Sequence, residues 1–219
     1  MRAPLILPRL YAIADAQVLA TRGIALGDFA RELRAGGVGL VQYRDKLGSP
    51  QEILRATSIL RDTMSGTNCK LILNDRPDLA LLANFDGVHV GQHDLSPEDA
   101  RLVFGSSWKA LGPNRIVGVS THTEAQVIAA NLTSADYIAI GPVFLTSTKP
   151  DAEPVIGLEG VRRARALTAK PLVAIGGITA ANARSVLDAG ADSVAVISAL
   201  LSPAETTSAI ARDFLRILR

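Results

Sequence analysis

The chain has 219 residues, of which 48% are hydrophobic and 20% charged, and its 23 basic and 21 acidic residues leave a formal charge of +2. This composition excludes a disordered chain and predicts one large domain with a substantial core. The near-balanced charge and the 4% aromatic content argue against a nucleic-acid-binding protein. The single cysteine, Cys69, excludes an internal disulfide and favours a reducing compartment.

The N-terminal segment 1–14 contains a short apolar run after Arg2, which Pro4 and Pro8 interrupt before it reaches the length typical of a signal peptide. No stretch of the sequence approaches the roughly 20 apolar residues of a membrane-spanning helix. We therefore expect a soluble, cytoplasmic protein without a membrane partner.

Eight short runs rich in Val, Ile and Leu alternate with segments of helical period, at a mean interval of about 26 residues, which accommodates one strand, one helix and two loops. The runs are Leu10–Ile13, Leu40–Tyr43, Lys70–Leu73, Gly87–Val90, Ile116–Val119, Tyr137–Ile140, Leu172–Ile175 and Ser193–Val196. A doubly wound open sheet would show the same alternation, but eight even units favour closure because a closed barrel has no edge strands. The sequence predicts a single-domain α/β protein, a (β/α)8 TIM barrel over residues 1–219, with functional residues in the loops after the strands.

Two repeated features punctuate these units. Ser-Pro pairs at 49–50, 96–97 and 202–203 each combine an N-cap residue with a proline at the first helical position, which predicts three helix starts. Asp86, Asp136 and Asp192 each stand directly before a predicted strand, about two units apart, as expected of a barrel built from repeats.

Basic and acidic side chains follow the second, third and fourth predicted strands. Gln42, Arg44 and Lys46 share one side of a strand by alternation, and burying such groups at a barrel mouth is costly unless an anion binds there. Asp75 and Asp94 follow the next two strands, where paired carboxylates suit Mg²⁺ bridged to substrate phosphates. A role for these two residues in turns or as N-caps explains their positions equally well.

Polar residues also follow the fifth strand, where Thr121 or Thr123 could cap the next helix. His122 is open to two interpretations, a catalytic residue or a hydrogen-bonded residue at a strand end. His89, flanked by valines, is interpreted as a structural histidine with its hydrogen bonds satisfied.

The longest connection runs from Gly141 to Gly157 and contains Thr146, Ser147, Thr148 and Lys149 beside apolar residues. Long structured loops in compact domains often act as lids, and the alternative is a merely flexible loop. Gly176–Gly177 and Ile197–Ser198 follow the last two strands, where backbone N–H groups of such barrels often bind a phosphate.

With these motifs in order, the chain resembles the thiamine phosphate synthase family over about Leu10 to Leu201. The motifs are Gln42-x-Arg44-x-Lys46, Asn74-Asp75-Arg76, Gly87-Val88-His89-Val90-Gly91-Gln92-x-Asp94, Gly118-Val119-Ser120-x-His122, Gly141-Pro142-Val143-Phe144-x-Thr146-x-Thr148-Lys149, Ala174-Ile175-Gly176-Gly177-Ile178 and Val196-Ile197-Ser198. The family joins 4-amino-5-hydroxymethyl-2-methylpyrimidine diphosphate to 4-methyl-5-(2-hydroxyethyl)thiazole phosphate, which gives thiamine monophosphate and pyrophosphate with Mg²⁺.

The resemblance implies a role for each matching residue. The pyrimidine diphosphate would be held by Gln42, Arg44, Lys46, Asn74 and Lys149, and Mg²⁺ by Asp75 and Asp94. Diphosphate or thiazole phosphate would be held by Ser120, Thr146, Thr148, Gly177, Ile197 and Ser198. Arg44, Lys46 and Lys149 would be the catalytic residues, because they stabilise the departing diphosphate.

Two other functions remain open. A related barrel, the thiazole tautomerase, uses a histidine at the position of His122 but would not need both carboxylates and the Thr-x-Lys loop. The second alternative is a barrel that binds phosphate ligands without turnover. A homodimer is the expected assembly, although the sequence does not decide the oligomeric state.

Overall fold

The computed structural model describes residues 5–105, 115–146 and 154–219. Within these residues the parallel strands form a closed barrel in sequence order, with β1 paired to β8. The strands are β1 Leu10–Asp15, β2 Leu40–Arg44, β3 Lys70–Asn74, β4 Gly87–Val90, β5 Ile116–Thr121, β6 Tyr137–Ile140, β7 Leu172–Ile175 and β8 Ser193–Val196. The predicted (β/α)8 barrel is confirmed.

Helices follow the strands and cover the outside of the barrel. They are α1 Ala16–Thr21, α2 Leu26–Ala35, α3 Pro50–Met64, α4 Pro77–Leu82, α5 Pro97–Phe104, α6 Glu124–Asn131, α7 Gly157–Leu167, α8 Ala180–Asp188 and α9 Thr207–Ile217, with a short 3₁₀ helix at Ser198–Leu200 before the last. No helix among these described residues is both long and apolar enough to cross a bilayer.

Strand alternation divides the core into two layers. Side chains such as Leu40, Ile72 and Val173 fill the barrel interior, and Val41, Leu73 and Ala174 face the surrounding helices. Each fully buried aliphatic side chain stabilises the fold by about 1.5–3 kcal/mol relative to exposure. The interior side chains fill the barrel beneath its C-terminal mouth.

Every predicted strand begins where the structure begins it, but several strands run further than predicted. β1, β2, β3 and β5 extend to Asp15, Arg44, Asn74 and Thr121. Apolar runs indicate only the part of a strand that is buried on both sides, whereas the ladder continues into polar residues at the mouth. Several candidate site residues therefore lie on the barrel rather than on loops.

Two of the three predicted helix starts are confirmed. Ser49 forms a capping box with Glu52, and the Ser96 side chain accepts from the backbone N–H of Asp99. The start at Ser202 is wrong, because its hydroxyl accepts from the backbone of Ala204 in a local turn, and α9 begins only after Thr206. Thr206 caps that helix by accepting from the backbone N–H of Ala209 at 3.3 Å.

The choice between Thr121 and Thr123 as helix cap is decided by their partners. Thr123 accepts from the backbone N–H of Gln126 and is the N-cap of α6. Thr121 is buried and donates to the carbonyl of Ala139 on β6.

The three repeated aspartates clamp the N-terminal end of the barrel. Asp86 accepts from the backbone N–H of Leu71 at 2.9 Å, so the residue before β4 binds the start of β3. Asp136 and Asp192 bind Val117 and Leu172 at 2.8 Å in the same way. Each carboxylate also meets one cation, in the ion pairs Lys70–Asp86, Arg101–Asp136 and Arg165–Asp192. Each aspartate therefore ties the strand that follows it to the preceding strand, which joins β3 to β4, β5 to β6 and β7 to β8.

Candidate active site

Arg44 is held at the mouth by an aspartate of the neighbouring strand. Asp15 and Arg44 are register partners at the ends of β1 and β2, and their side chains form a direct ion pair. The Asp15 side chain is 2% exposed and also accepts from the backbone N–H of Val18, as the N-cap of α1. Because the Val18 N–H fixes the Asp15 carboxylate, the ion pair with Asp15 holds the Arg44 guanidinium in one place. Sequence reasoning missed Asp15, although an acid that ends the first apolar run was the available signal.

Lys46 lies between the two carboxylates predicted to bind metal. Its ammonium forms a direct ion pair with Asp75 and lies 4.0 Å from Oδ1 of Asp94. Asp75 has φ of +62°, a left-handed conformation that is uncommon outside glycine, and its backbone N–H donates to the carbonyl of His89 at 2.7 Å. The backbone therefore turns sharply after β3 and directs the carboxylate towards β4.

Asp94 faces the same cluster from the loop after β4. Its Oδ2 accepts from the backbone N–H of Gly91 at 2.8 Å, so Asp94 does close a turn, as the structural alternative proposed. Its other oxygen nevertheless points to Lys46, and the cap of α5 is Ser96. The structural and the functional interpretations of Asp94 are thus compatible.

The two carboxylates have pKa values that move apart. Burial raises the pKa of Asp75 above its ordinary value, and the hydrogen bond and negative charge of Asp94 add to the rise against the pull of Lys46. Burial also opposes ionisation of Asp94, but its hydrogen bonds with Asp75 and Gly91 and the charge of Lys46 hold its pKa below the ordinary value. Two acids this close require a shared proton or a nearby cation.

Asn74, at the end of β3, and Gln42, in the middle of β2, differ in whether their amide nitrogens have hydrogen-bond partners. The Asn74 amide nitrogen is buried, and the described residues offer it no hydrogen-bond partner. A buried donor without a partner costs about 1–3 kcal/mol, which a ligand acceptor would recover. Gln42 is 3% exposed and donates to the Tyr11 hydroxyl at 2.8 Å inside the barrel.

Ser120 and His89 are joined at the mouth. His89 Nε2 lies 2.8 Å from the Ser120 hydroxyl, and His89 Nδ1 lies 2.9 Å from the Tyr137 hydroxyl. The interpretation of His89 as a hydrogen-bonded structural histidine is confirmed. Sequence reasoning missed Tyr11 and Tyr137 beneath it, because an isolated tyrosine in an apolar run reads as packing.

The loop after β6 is anchored on the glycines that follow β7. Val143 and Phe144 donate to the carbonyls of Ile175 and Gly176 at 2.9 and 3.0 Å. Both glycines have positive φ, and a Cβ on Gly177 would lie 2.5 Å from the carbonyl oxygen of Leu145. These two glycines are therefore required for the close approach of the two loops, whatever ligand they bind.

The remaining predicted residues fall into two groups. Thr146 ends the anchored part of the loop, whereas Ser147, Thr148 and Lys149 lie outside the described residues, so the lid stays a prediction. Ile197 and Ser198 stand directly after β8 at the start of the 3₁₀ helix, on the loop next to Gly177.

Comparison with known proteins decides the family. The family model described as thiamine monophosphate synthase matches residues 10–200 of the sequence. The chain belongs to this family. A thiamine-phosphate synthase of Koribacter versatilis is 52% identical over 221 residues, which cover 100% of this chain and 99% of the relative. A thiamine-phosphate synthase of Chloroflexus aurantiacus is 41% identical, over 92% of this chain and 88% of the relative.

A solved structure agrees with the family assignment. The thiamine phosphate pyrophosphorylase from Pyrococcus furiosus has a TM-score of 0.81 and 34% identity, over 96% of this chain and 95% of that chain. The resemblance inferred from the motifs is confirmed, and the chain is a transferase of the thiamine monophosphate synthase family.

The donor set of the enzyme fits Mg²⁺. Asp75 and Asp94 carry hard oxygen atoms of the kind that Mg²⁺ prefers, and each faces the charge of Lys46. The described residues contain no group of three or more acidic, histidine or cysteine side chains placed to enclose a metal ion. An ion held by these two carboxylates would complete its shell with water and substrate oxygens, the usual arrangement for Mg²⁺ with phosphates.

His122 lies apart from the cluster of Lys46, Asp75 and Asp94. Its Nδ1 donates to the carbonyl of Gly141 at 2.7 Å, so it is at least a hydrogen-bonded residue of the strand end. It lines a cavity of about 360 Å³ between α6 and α7, together with Ile140 and Ile156. Among the described residues, those lining this cavity include neither Lys46 nor the two aspartates.

Proposed function

We propose that the enzyme condenses 4-amino-5-hydroxymethyl-2-methylpyrimidine diphosphate with 4-methyl-5-(2-hydroxyethyl)thiazole phosphate, giving thiamine monophosphate and pyrophosphate. The observation that carries this proposal is the cluster of Lys46 with Asp75 and Asp94, beside Arg44 fixed by Asp15. The names of the relatives support the same reaction.

The first chemical step is loss of diphosphate. The C–O bond breaks with both electrons leaving on the diphosphate oxygen, and the positive charge on the methylene carbon is delocalised into the aminopyrimidine ring. Arg44, Lys46 and, in the proposed lid, Lys149 would stabilise the negative charge that develops on the leaving group. Removal of one preorganised hydrogen-bond donor at a developing negative charge typically costs about 2.7–4 kcal/mol.

Mg²⁺ held by Asp75 and Asp94 would add a charge that neutralises the diphosphate. The Asn74 amide nitrogen is buried and has no hydrogen-bond partner among the described residues, and it would donate to a substrate acceptor atom. Gln42 and Ser120 are the further polar contacts proposed for the substrates at the strand ends.

The second step joins the two heterocycles. The thiazole nitrogen attacks the methylene carbon, so no protein nucleophile is needed, and correct positioning contributes most of the rate. Backbone groups of Gly177, Ile197 and Ser198 and the hydroxyls of Thr146 and Thr148 would hold the phosphates. Closure of the 141–157 loop would keep water from capturing the cation.

The test is incubation of the purified enzyme with both heterocycles and Mg²⁺ while pyrophosphate is measured. Release that depends on both substrates is the expected result. Release from the pyrimidine diphosphate alone would indicate a hydrolase, and no release would favour a binding barrel. Conversion of a carboxylated thiazole without the pyrimidine, lost in His122→Ala, would indicate the tautomerase.

We also propose a cytoplasmic homodimer. Apolar side chains on the neighbouring helices α4 and α5 support an interface, since Leu82 and Leu102 are 69% and 76% exposed. Sedimentation velocity should give twice the chain mass, and Leu102→Glu should shift the population towards the chain mass.

A further inference from the structure

Five polar side chains form a continuous chain of hydrogen bonds across the barrel interior. Gln42 Nε2 lies 2.8 Å from the Tyr11 hydroxyl, which lies 2.9 Å from the Tyr137 hydroxyl. Tyr137 continues to His89 Nδ1 at 2.9 Å, and His89 Nε2 reaches Ser120 at 2.8 Å. These hydrogen bonds, from Gln42 to Ser120, are called the relay below. The relay joins β2, β1, β6, β4 and β5, and both of its end residues are proposed to contact substrate.

Packing holds the middle of this chain in place. Tyr11 and Tyr137 are 1% and 0% exposed, with the edge of one ring against the other at a centroid distance of 6.1 Å, and His89 stacks on Tyr137 at 5.5 Å. Position 118 is glycine because a Cβ there would lie 2.0 Å from Cζ of Tyr137. The ring of Tyr137 therefore occupies space that any larger residue at 118 would take.

The donor and acceptor chemistry of the five groups gives the hydrogen bonds of the relay one direction. The Gln42 nitrogen can only donate, so the Tyr11 oxygen accepts from it and uses its single hydrogen on Tyr137. Tyr137 would in turn donate to His89 Nδ1, and in the uncharged form of the imidazole the proton then lies on Nε2, which donates to Ser120. Burial raises the pKa of both tyrosines, which keeps each hydroxyl protonated as a link.

We propose that this relay sets Ser120 as a hydrogen-bond donor to the substrate, with Tyr11, Tyr137 and His89 as positioning residues that act through it. Ser120 receives a hydrogen from His89, so its own hydroxyl hydrogen is directed to an acceptor in the site. Phosphate oxygens only accept, and a relay of opposite direction would present a Ser120 lone pair to them. The inference rests on the proposed function in that it assigns Ser120 to a phosphate-bearing substrate.

The tautomer of His89 tests the direction of the relay without any turnover. The chain has three histidines, so the ring nitrogens of the ¹⁵N-labelled free enzyme can be assigned by long-range ¹H–¹⁵N spectra with His→Gln variants of the other two. Measured above the titration range of imidazole, His89 should be in the Nε2–H form. An Nδ1–H form in the wild-type enzyme would overturn the proposal, whether or not the enzyme makes thiamine monophosphate.

Removal of one hydroxyl should sever the relay. Tyr11→Phe removes the link between Gln42 and Tyr137, and His89 should then populate both tautomers. The matched control is Tyr43→Phe, because the Tyr43 hydroxyl donates to Asp45, which is outside the relay. A single Nε2–H tautomer in Tyr11→Phe would show that Gln42 does not set the direction.

The kinetic test uses a double-mutant cycle with Ser120→Ala. Tyr11→Phe should lower kcat/KM by about 10-fold for the substrate that Ser120 contacts, whether the pyrimidine diphosphate or the thiazole phosphate, which is the equivalent of one oriented hydrogen bond. In the Ser120→Ala background the same change should have less than a 2-fold effect, because Tyr11 acts through Ser120. Equal effects in the two backgrounds would refute a positioning role, and unchanged melting temperatures would show that each variant is folded.

Discussion

The two ends of the barrel use the same residue types in opposite ways. At the N-terminal end, each of Asp86, Asp136 and Asp192 forms an ion pair and accepts from a strand N–H. The three aspartates of this end are thus paired with both a cation and a backbone donor. Among the described residues of the C-terminal mouth, two aspartates share one lysine and the Asn74 donor has no acceptor.

The difference between the two ends shows that residues at one end of the barrel stabilise the fold, whereas residues at the other end are available for function. A carboxylate that satisfies a strand N–H and a cation contributes to folding and has no reason to bind a ligand. Clustered acids and an orphan donor cost stability, and such costs are typical of binding sites. Variants that exchange the properties of the two ends can test this contrast.

The largest expected effect comes from comparing two lysines of similar exposure. Lys46 and Lys70 are 46% and 53% exposed, and each forms an ion pair with an aspartate. Lys46→Ala should lower kcat by about 10²–10³-fold, because a preorganised charge on the leaving group is lost. Lys70→Ala should leave kcat within a factor of two. A similar kcat for both variants, measured by pyrophosphate release, would contradict the functional contrast.

A second effect of comparable size is expected in the lid. Lys149→Ala removes another proposed charge from the diphosphate and should lower kcat by about 10²-fold. The readout is single-turnover product formation at saturating substrates, which separates chemistry from binding. Near-normal turnover would refute the catalytic role of Lys149.

The next effect concerns the metal. Asp94→Asn removes one hard, charged ligand, so the Mg²⁺ concentration for half-maximal activity should rise by roughly 10- to 100-fold. Asp86→Asn, at the opposite end, should leave the Mg²⁺ requirement unchanged. Activity that survives EDTA in the wild-type enzyme would refute the metal site.

Stability should respond in the opposite sense to activity. Asp136→Asn weakens the contacts with Val117 N–H and Arg101, and should lower the free energy of unfolding by about 1–3 kcal/mol with little change in kcat. Asp75→Asn relieves repulsion and places an amide where φ is positive, so stability should be equal or higher while activity is lost. Urea denaturation of both variants measures the difference.

The smallest effect is on the pH dependence of stability. Because the folded pKa of Asp75 is raised, the folded protein binds more protons than the unfolded chain between the ordinary and the raised value, and stability falls as pH rises through this interval. Asp94 has a lowered pKa and contributes stability that is lost as pH falls through that value. In Asp75→Asn the fall with rising pH should disappear from the unfolding free energies. A fall that persists in this variant would contradict the assignment.

Much of the fold and part of the site could be predicted from local sequence. Each strand start was predicted because a strand buried on both faces reads as a continuous apolar run. Arg44, Lys46, Asp75 and Asp94 were found because they follow such runs, and in a parallel barrel all strand ends meet at one mouth. The prediction of a helix start at Ser202 was wrong because a serine before proline can also form a local turn, and the local sequence does not distinguish the two.

Sequence alone determined the alternation of elements and the residue types at the strand ends, because these depend on periodicity and on position along the chain. The even spacing of eight units favoured a closed barrel over an open sheet, and the strand pairing in the structure decided between them. Only the tertiary structure decided the pairing of Arg44 with Asp15, the sharing of Lys46 between two acids and the relay through Tyr11 and Tyr137. These contacts join residues far apart in sequence, and their partners depend on distances across the barrel that no local pattern records.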